Sequence, residues 1–234
     1  MVALKVNKTR HKIAIIISVI LFLILVGSVS RVLIWEHFYY KNQEGQERFK
    51  PELVGDMGDY TGDNIEISED PIPQYEIDNY FVSADMPRYL SIPKIGVEKA
   101  RVIVVGRTAT NKVDVPRNNF DVGWFNETAK PGTGGTSLID GHNSISIGVF
   151  KDLSKLRQGD YIYIEMGSGE ILKYRVVENR DMSLQEANDY MTTMLKSPVP
   201  GKESISLITC VGNWNQNRNT RDGRTMLRAV REDY

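Results

Sequence analysis

The chain has 234 residues, with 29 Lys plus Arg against 30 Asp plus Glu, three histidines and one cysteine. One cysteine excludes an intrachain disulfide framework and zinc sites built on cysteine pairs, and the lack of a basic stripe or nucleic-acid motif excludes nucleic acid as a partner. The formal net charge of −1 is a cancellation along the chain: residues 1–35 hold five basic and no acidic residues, 36–80 hold three and twelve, and 81–234 hold 21 and 18.

Residues 1–12 form a basic stub containing Lys5, Lys8, Arg10 and Lys12. Ile13 to Val29 is a seventeen-residue run without a charge, and apolar character resumes at Val32. A helix from Ile13 to Ile34 would reach roughly 33 Å, enough for the hydrocarbon core of a bilayer. The basic stub predicts a cytoplasmic N-terminus, and Trp35, Phe38, Tyr39 and Tyr40 suit the opposite interface. The expectation is a single-pass helix over residues 13–35, anchoring the chain in the cell membrane with the remainder on the extracellular side. The alternative is a signal peptide cleaved near Ser28-Val29-Ser30, but the apolar run is longer than about 7–15 residues, the usual apolar region of such peptides.

Residues 36–80 are acidic and rich in Gly and Pro, and are read as a flexible spacer with too little apolar surface to fold alone. A minority reading lets the stretch around Glu69-Asp70-Pro71-Ile72-Pro73 fold back over the domain as a lid.

Residues 81–234 read as a catalytic-size β domain. Runs rich in β-branched and aromatic residues, separated by Gly, Asn, Asp and Pro, predict strands at Tyr89–Ile92, Ala100–Val105, Lys112–Val115, Val122–Trp124, Gly135–Ile139, Tyr161–Glu165, Ile171–Asn179, Ile205–Cys210 and Arg224–Arg231. Helical spacing predicts a helix over Ile147–Lys155 after Ser146, and a second from Leu184 to Leu195, entered by a Ser183/Glu186 capping box. The fold class is therefore mainly β, a barrel or sandwich with one or two short helices.

Cys210 ends a strand that places Ile205, Leu207 and Thr209 on one face and Ser206, Ile208 and Cys210 on the other. Alone it reads as a small buried apolar side chain, although an unpaired thiol in an extracytoplasmic domain is a candidate reactive one. His142, just past the strand Ser137–Asp140, is the one histidine of the predicted domain. An imidazole is what a thiol needs to become a thiolate, and it can then protonate a leaving amine. The polar stretch Val211–Gly223 is read as a hairpin loop, which brings Arg224 back beside Cys210, where a guanidinium can hydrogen-bond a developing oxyanion. Arg228 falls about 13 Å further along the strand, too far for that role, and Arg218 and Arg221 are read as solvated loop residues.

Taken together, Ile139-Asp140-Gly141-His142, Leu207-Ile208-Thr209-Cys210 and Arg224-Thr225-Met226-Leu227-Arg228-Ala229 resemble the sortases, membrane-anchored cysteine transpeptidases of the bacterial cell surface. Leu90–Val97, Val113–Pro116, Val122–Phe125, Pro131-Gly132 and Val149–Asp160 extend the likeness over roughly residues 85–231. The resemblance implies a closed β-barrel of about eight strands, with Cys210 as nucleophile, His142 as general acid and base, and Arg224 positioning substrate and oxyanion. Thr209 would help orient the substrate through its hydroxyl or the adjacent backbone. It further implies cleavage of an LPXTG-like sorting signal through a thioester, resolved by an amine from a peptidoglycan precursor or another protein, with no cofactor and no metal. The Asp140-Gly141-His142-Asn143 wording is most like classes F and E, with class D next. Asp70-Pro71-Ile72 lacks the aromatic residue of class C lids, which disfavours pilus assembly. A hydrolytic cysteine peptidase or a non-catalytic surface-binding barrel are the competing functions.

Overall fold

Alternation of apolar and polar residues becomes eight strands: β1 (Pro87–Ile92), β2 (Val97–Val105), β3 (Val122–Phe125), β4 (Thr136–Gly141), β5 (Tyr161–Met166), β6 (Ile171–Ser183), β7 (Ser204–Asn215) and β8 (Thr220–Arg231). Two helices, α1 (Gln74–Asp78) and α2 (Leu184–Met194), and 3₁₀ turns at Pro93–Ile95 and Leu153–Lys155 accompany the strands between residues 66 and 232. The structure, a computed structural model, describes residues 66–232 except 110, 145 and 146, together with Ile17, Ser18 and Ser30. The chain divides into two units, Met1–Lys41 and Asn42–Tyr234. The helix expected over residues 13–35 lies outside the described residues apart from those three positions, which are helical. Among the described residues no helix is long and apolar enough to cross a membrane.

The strands close into a barrel in the order β1-β2-β3-β4-β7-β8-β6-β5. Neighbours are antiparallel except β2 with β3 and β4 with β7, which run parallel. Parallel pairing needs a long crossover, and the connection from β4 to β7 contains β5, β6 and α2.

Period two sorts each strand between the barrel interior and its outer surface. Ile205 and Leu207 of β7 join Leu90, Val102, Ile139, Ile164 and Leu227 in the interior core. Ile208, Leu138 and Met226 face outward, where they pack with Ala187, Met191 and Met194 of α2 in a second cluster. Helix α2 starts at the predicted capping box: the Ser183 hydroxyl accepts from the Glu186 N–H and the Glu186 carboxylate accepts from the Ser183 N–H. The outer face of β4, β7 and β8 is thus covered at one end by α2 and left open at the other.

Three segments differ from the sequence-based expectation. Lys112–Val115 forms no strand, only a bridge from Val113 to Arg107, because Asn111 turns the chain at φ 65° and the Asp114 carboxylate takes the Val115 N–H. The expected helix at Ile147–Lys155 is reduced to the turn at Leu153–Lys155. Gly148 lies at φ +120° with its backbone against the His142 carbonyl, and Phe150 N–H donates to that carbonyl, so the segment wraps the barrel end and buries Phe150, Leu153 and Leu156. Finally, residues 66–80, read as the end of the spacer, pack on the barrel. The Ser68 N–H donates to Arg117 O, Tyr80 Oη donates to Val102 O, Tyr89 Oη donates to Ile77 O, and the Arg88 guanidinium donates to Tyr80 O.

Candidate active site

On the uncovered outer face lies a groove of about 790 Å³ that is bordered by Cys210, His142 and Arg224 together. Its floor is apolar, with Phe125, Leu138 and Ile208, and Val113 and Val115 rise beside it from the loop after β2. Ile67 and Glu69 form part of the rim, held there because Ser68 pairs with Asn118 and the Asn118 side-chain amide donates to Asp70 O. The stretch around Glu69 and Asp70 therefore edges the groove.

Cys210 and Arg224 are direct cross-strand partners on β7 and β8, as the hairpin reading requires. The connection is shorter than expected, since the ladder continues through Trp214–Arg221 and Asn215–Thr220, with an irregularity between Val211 and Trp214. Arg221 consequently lies in a strand, donating to Gly212 O at 2.6 Å. Arg228 is held far from the groove by the Glu178 carboxylate and the Lys196 carbonyl.

The Arg224 side chain is only 2 % exposed. Its Nη1 donates to the carbonyls of Arg221 and Gly223, and its Nη2 donates to Thr220 Oγ1 at 3.0 Å. The same hydroxyl lies 4.0 Å from Cys210 Sγ. Accepting from the guanidinium leaves the Thr220 hydroxyl one proton and one lone pair, so it can donate to the sulfur or accept from the thiol. Thr220 therefore links Arg224 to the thiol.

His142 follows the last residue of β4. Its Nε2 donates to the Pro116 carbonyl at 2.8 Å, which leaves Nδ1 as the nitrogen able to accept a proton in the neutral ring. Burial pushes the imidazole below its ordinary value; the Pro116 carbonyl opposes this, the nearby Arg117 charge reinforces it, and Asp121 opposes it more weakly. The resting imidazole is thus a neutral base.

Thr209 faces the interior side of β7, and its hydroxyl donates to Gly141 O at 2.6 Å. This ties the strand that carries Cys210 to the residue before His142, so only the Thr209 backbone remains to meet a substrate. Asn143 adds a second tie, its amide donating to Cys210 O at 2.8 Å. Thr220, Pro116 and Asn143 were not singled out by sequence, because each acts through a partner 10 to 67 positions away. Among the described residues no group of three His, Cys, Asp or Glu side chains is arranged to hold a metal ion.

An eight-stranded barrel carrying a cysteine, a histidine and an arginine around one outer groove defines a class of protein, and a family model for the sortase domain matches residues 90–232. The chain belongs to the sortase family and is a transpeptidase of that type. Among solved structures it is similar to the sortase D5 transpeptidase of Clostridium perfringens, at 24% identity over 69% of this chain and 90% of that one, with a TM-score of 0.45. It is also similar to sortase C-1 of Actinomyces oris, at 22% identity over 77% and 97% with a TM-score of 0.47. A third is a pilus-related sortase C of Group B Streptococcus, at 20% identity over 85% and 91% with a TM-score of 0.47. No curated protein matches the chain.

Proposed function

We propose that the chain cleaves an LPXTG-type sorting signal through a thioester on Cys210 and transfers the acyl group to a cell-wall amine. The observation that carries this reading is the meeting of Cys210, His142 and Arg224 on one groove whose apolar floor suits an extended peptide. The neutral His142 takes the thiol proton, the sulfur attacks the scissile carbonyl, and the imidazolium returns the proton to the leaving amine. Arg224 and the Thr220 hydroxyl stabilise the negative charge as it passes between sulfur and oxyanion. The incoming amine then loses a proton to His142 as it displaces the thiolate. By this reading a membrane helix over residues 13–35 holds the barrel on the extracellular side, and the wording around His142 favours class F or E.

The test is intact-mass analysis of the protein with LPXTG-like peptides, with and without a glycine-type amine. An acyl-enzyme that is lost in Cys210→Ala, and an amine-dependent ligation product, are the expected results. Products formed only by hydrolysis would refute transfer, and the absence of any acyl-enzyme across the library would refute the thioester.

A further inference from the structure

Two acids line the groove, Glu69 at its rim and Asp140 on β4, and neither has a place in the chemistry just described. Asp140 precedes His142 by two residues on β4 and pairs in register with Ile208, which precedes Cys210 by two residues on the parallel β7. At ~3.3 Å per residue it therefore lies about two residues, or ~7 Å, along the groove floor from the nucleophile.

The carboxyl is built into the wall. It leans over Gly123 of β3, its register partner, so closely that a Cβ at Gly123 would collide with Oδ1 and would crowd the Pro116 ring at 3.0 Å and Val105 at 3.1 Å. The glycine thus makes the space that the carboxyl enters. Around it the groove is apolar, with Val113, Val115, Leu138 and Ile208, and no ion pair to Asp140 is formed among the described residues. The residue keeps a partly exposed edge on the groove, and desolvation of its carboxyl holds it well above the usual carboxylate range; its own backbone N–H opposes that, and Asp114 adds to the rise. Asp114 is itself bound to Arg117 at 2.8 Å.

The charges around the groove are divided. Arg221 and Arg224 come from the β7–β8 hairpin, whereas Asp140 and Glu69 line it from β4 and the 66–70 segment. A half-buried, partly desolvated carboxyl that faces an apolar groove without a cation carries a desolvation cost, which a ligand cation can offset. We infer that Asp140 is a specificity-determining residue that selects a lysine or arginine side chain in the sorting signal, one or two positions from the residue acylated on Cys210. This rests on the peptide-binding groove of the function proposed above and names the chemistry of one of its subsites.

The experiment measures binding of fluorescent LPXTG-like peptides to the Cys210→Ala protein by polarisation, comparing Lys or Arg with Met or Gln at each of those positions. The same comparison is made with Asp140→Asn added, and acylation by the same peptides is followed in parallel on proteins that retain Cys210. The expected result is a preference of at least about tenfold for the basic peptides, since desolvated charge pairs are worth this much or more, reduced to about one by Asp140→Asn and largely kept by Asp140→Glu. Equal binding of basic and neutral peptides, or a uniform loss over all peptides in Asp140→Asn, would overturn the inference. Because binding is read separately, a basic preference without any acylation would sink the thioester mechanism and leave the role of Asp140 standing.

Discussion

Thr220→Val tests the link between guanidinium and thiol. The substitution keeps the branched shape of a side chain that is 3 % exposed and removes the oxygen that accepts from Arg224 Nη2 at 3.0 Å and lies 4.0 Å from Cys210 Sγ. Hydrogen bonds to charged groups contribute roughly 1.5–3 kcal/mol, and each ~1.4 kcal/mol is tenfold in rate, so acylation should slow by about 10- to 100-fold. The assay is the rate of acyl-enzyme formation by intact-mass analysis, with Thr220→Ser as the conservative control that restores most of the rate. Thr220→Val combined with Arg224→Ala should be little slower than Arg224→Ala alone, because the two side chains act as one unit. A rate within about threefold of the parent, or losses that simply add in the double variant, would refute the reasoning, and an unchanged urea midpoint would separate positioning from stability.

The acid limb of the acylation pH profile should fall below pH 6.5, the ordinary histidine value, because burial and Arg117 both disfavour the His142 imidazolium. Removing the cation with Arg117→Gln should move that limb upward, and a limb that stayed put or moved down would contradict the assignment. Asp140, whose folded-state value is raised, binds more protons in the folded than in the unfolded state once the pH passes about 3.8, so the parent loses stability as pH rises through that window. Asp140→Asn should therefore gain in urea midpoint over the parent on going from pH 4 to pH 8, and a gap that narrowed instead would count against the buried carboxyl. Gly148→Ala, whose Cβ would meet the His142 carbonyl 2.5 Å away at φ +120°, should cost about 1–3 kcal/mol and impair acylation, measured by thermal unfolding beside the rate.

What could be read from sequence was whatever depends on local period and pairing. The facing of Ile205 and Leu207 inward and of Ile208 and Cys210 outward follows from alternation, and the placement of Arg224 beside Cys210 follows from antiparallel return of the chain. The Ser183/Glu186 box was legible because both of its hydrogen bonds close within one turn. Thr220 was not, since its contact with the thiol depends on the irregular ladder between Val211 and Trp214. The apolar spacing of Val149, Phe150 and Leu153 mimics a helix, but Gly148 and the His142 carbonyl bind the chain into a plug instead. Sequence offered a fold-back only around Glu69–Pro73, and the anchoring of residues 66–80 was hidden because it rests on tyrosine hydroxyls reaching backbone carbonyls such as Val102 O and Ile77 O. Asp140 was visible as part of a motif, but the way its carboxyl leans over the backbone required knowing that Gly123 lies opposite.

The parallel pairing of β4 with β7 also sets the order in which the chain can become reactive. His142, just past the end of β4, and Cys210, within β7, are brought level by two parallel strands that cannot be joined by a hairpin, so the intervening β5, β6 and α2 separate them in the chain. Contacts of such long sequence separation form late, after the local hairpins have closed their loops. A chain in which the β7–β8 hairpin has closed therefore carries Cys210 beside the Arg224–Thr220 pair but without its base, and full activation of the thiol waits for β4 to pair with β7. Assembly of the last parallel pair is in this sense the switch that arms the molecule.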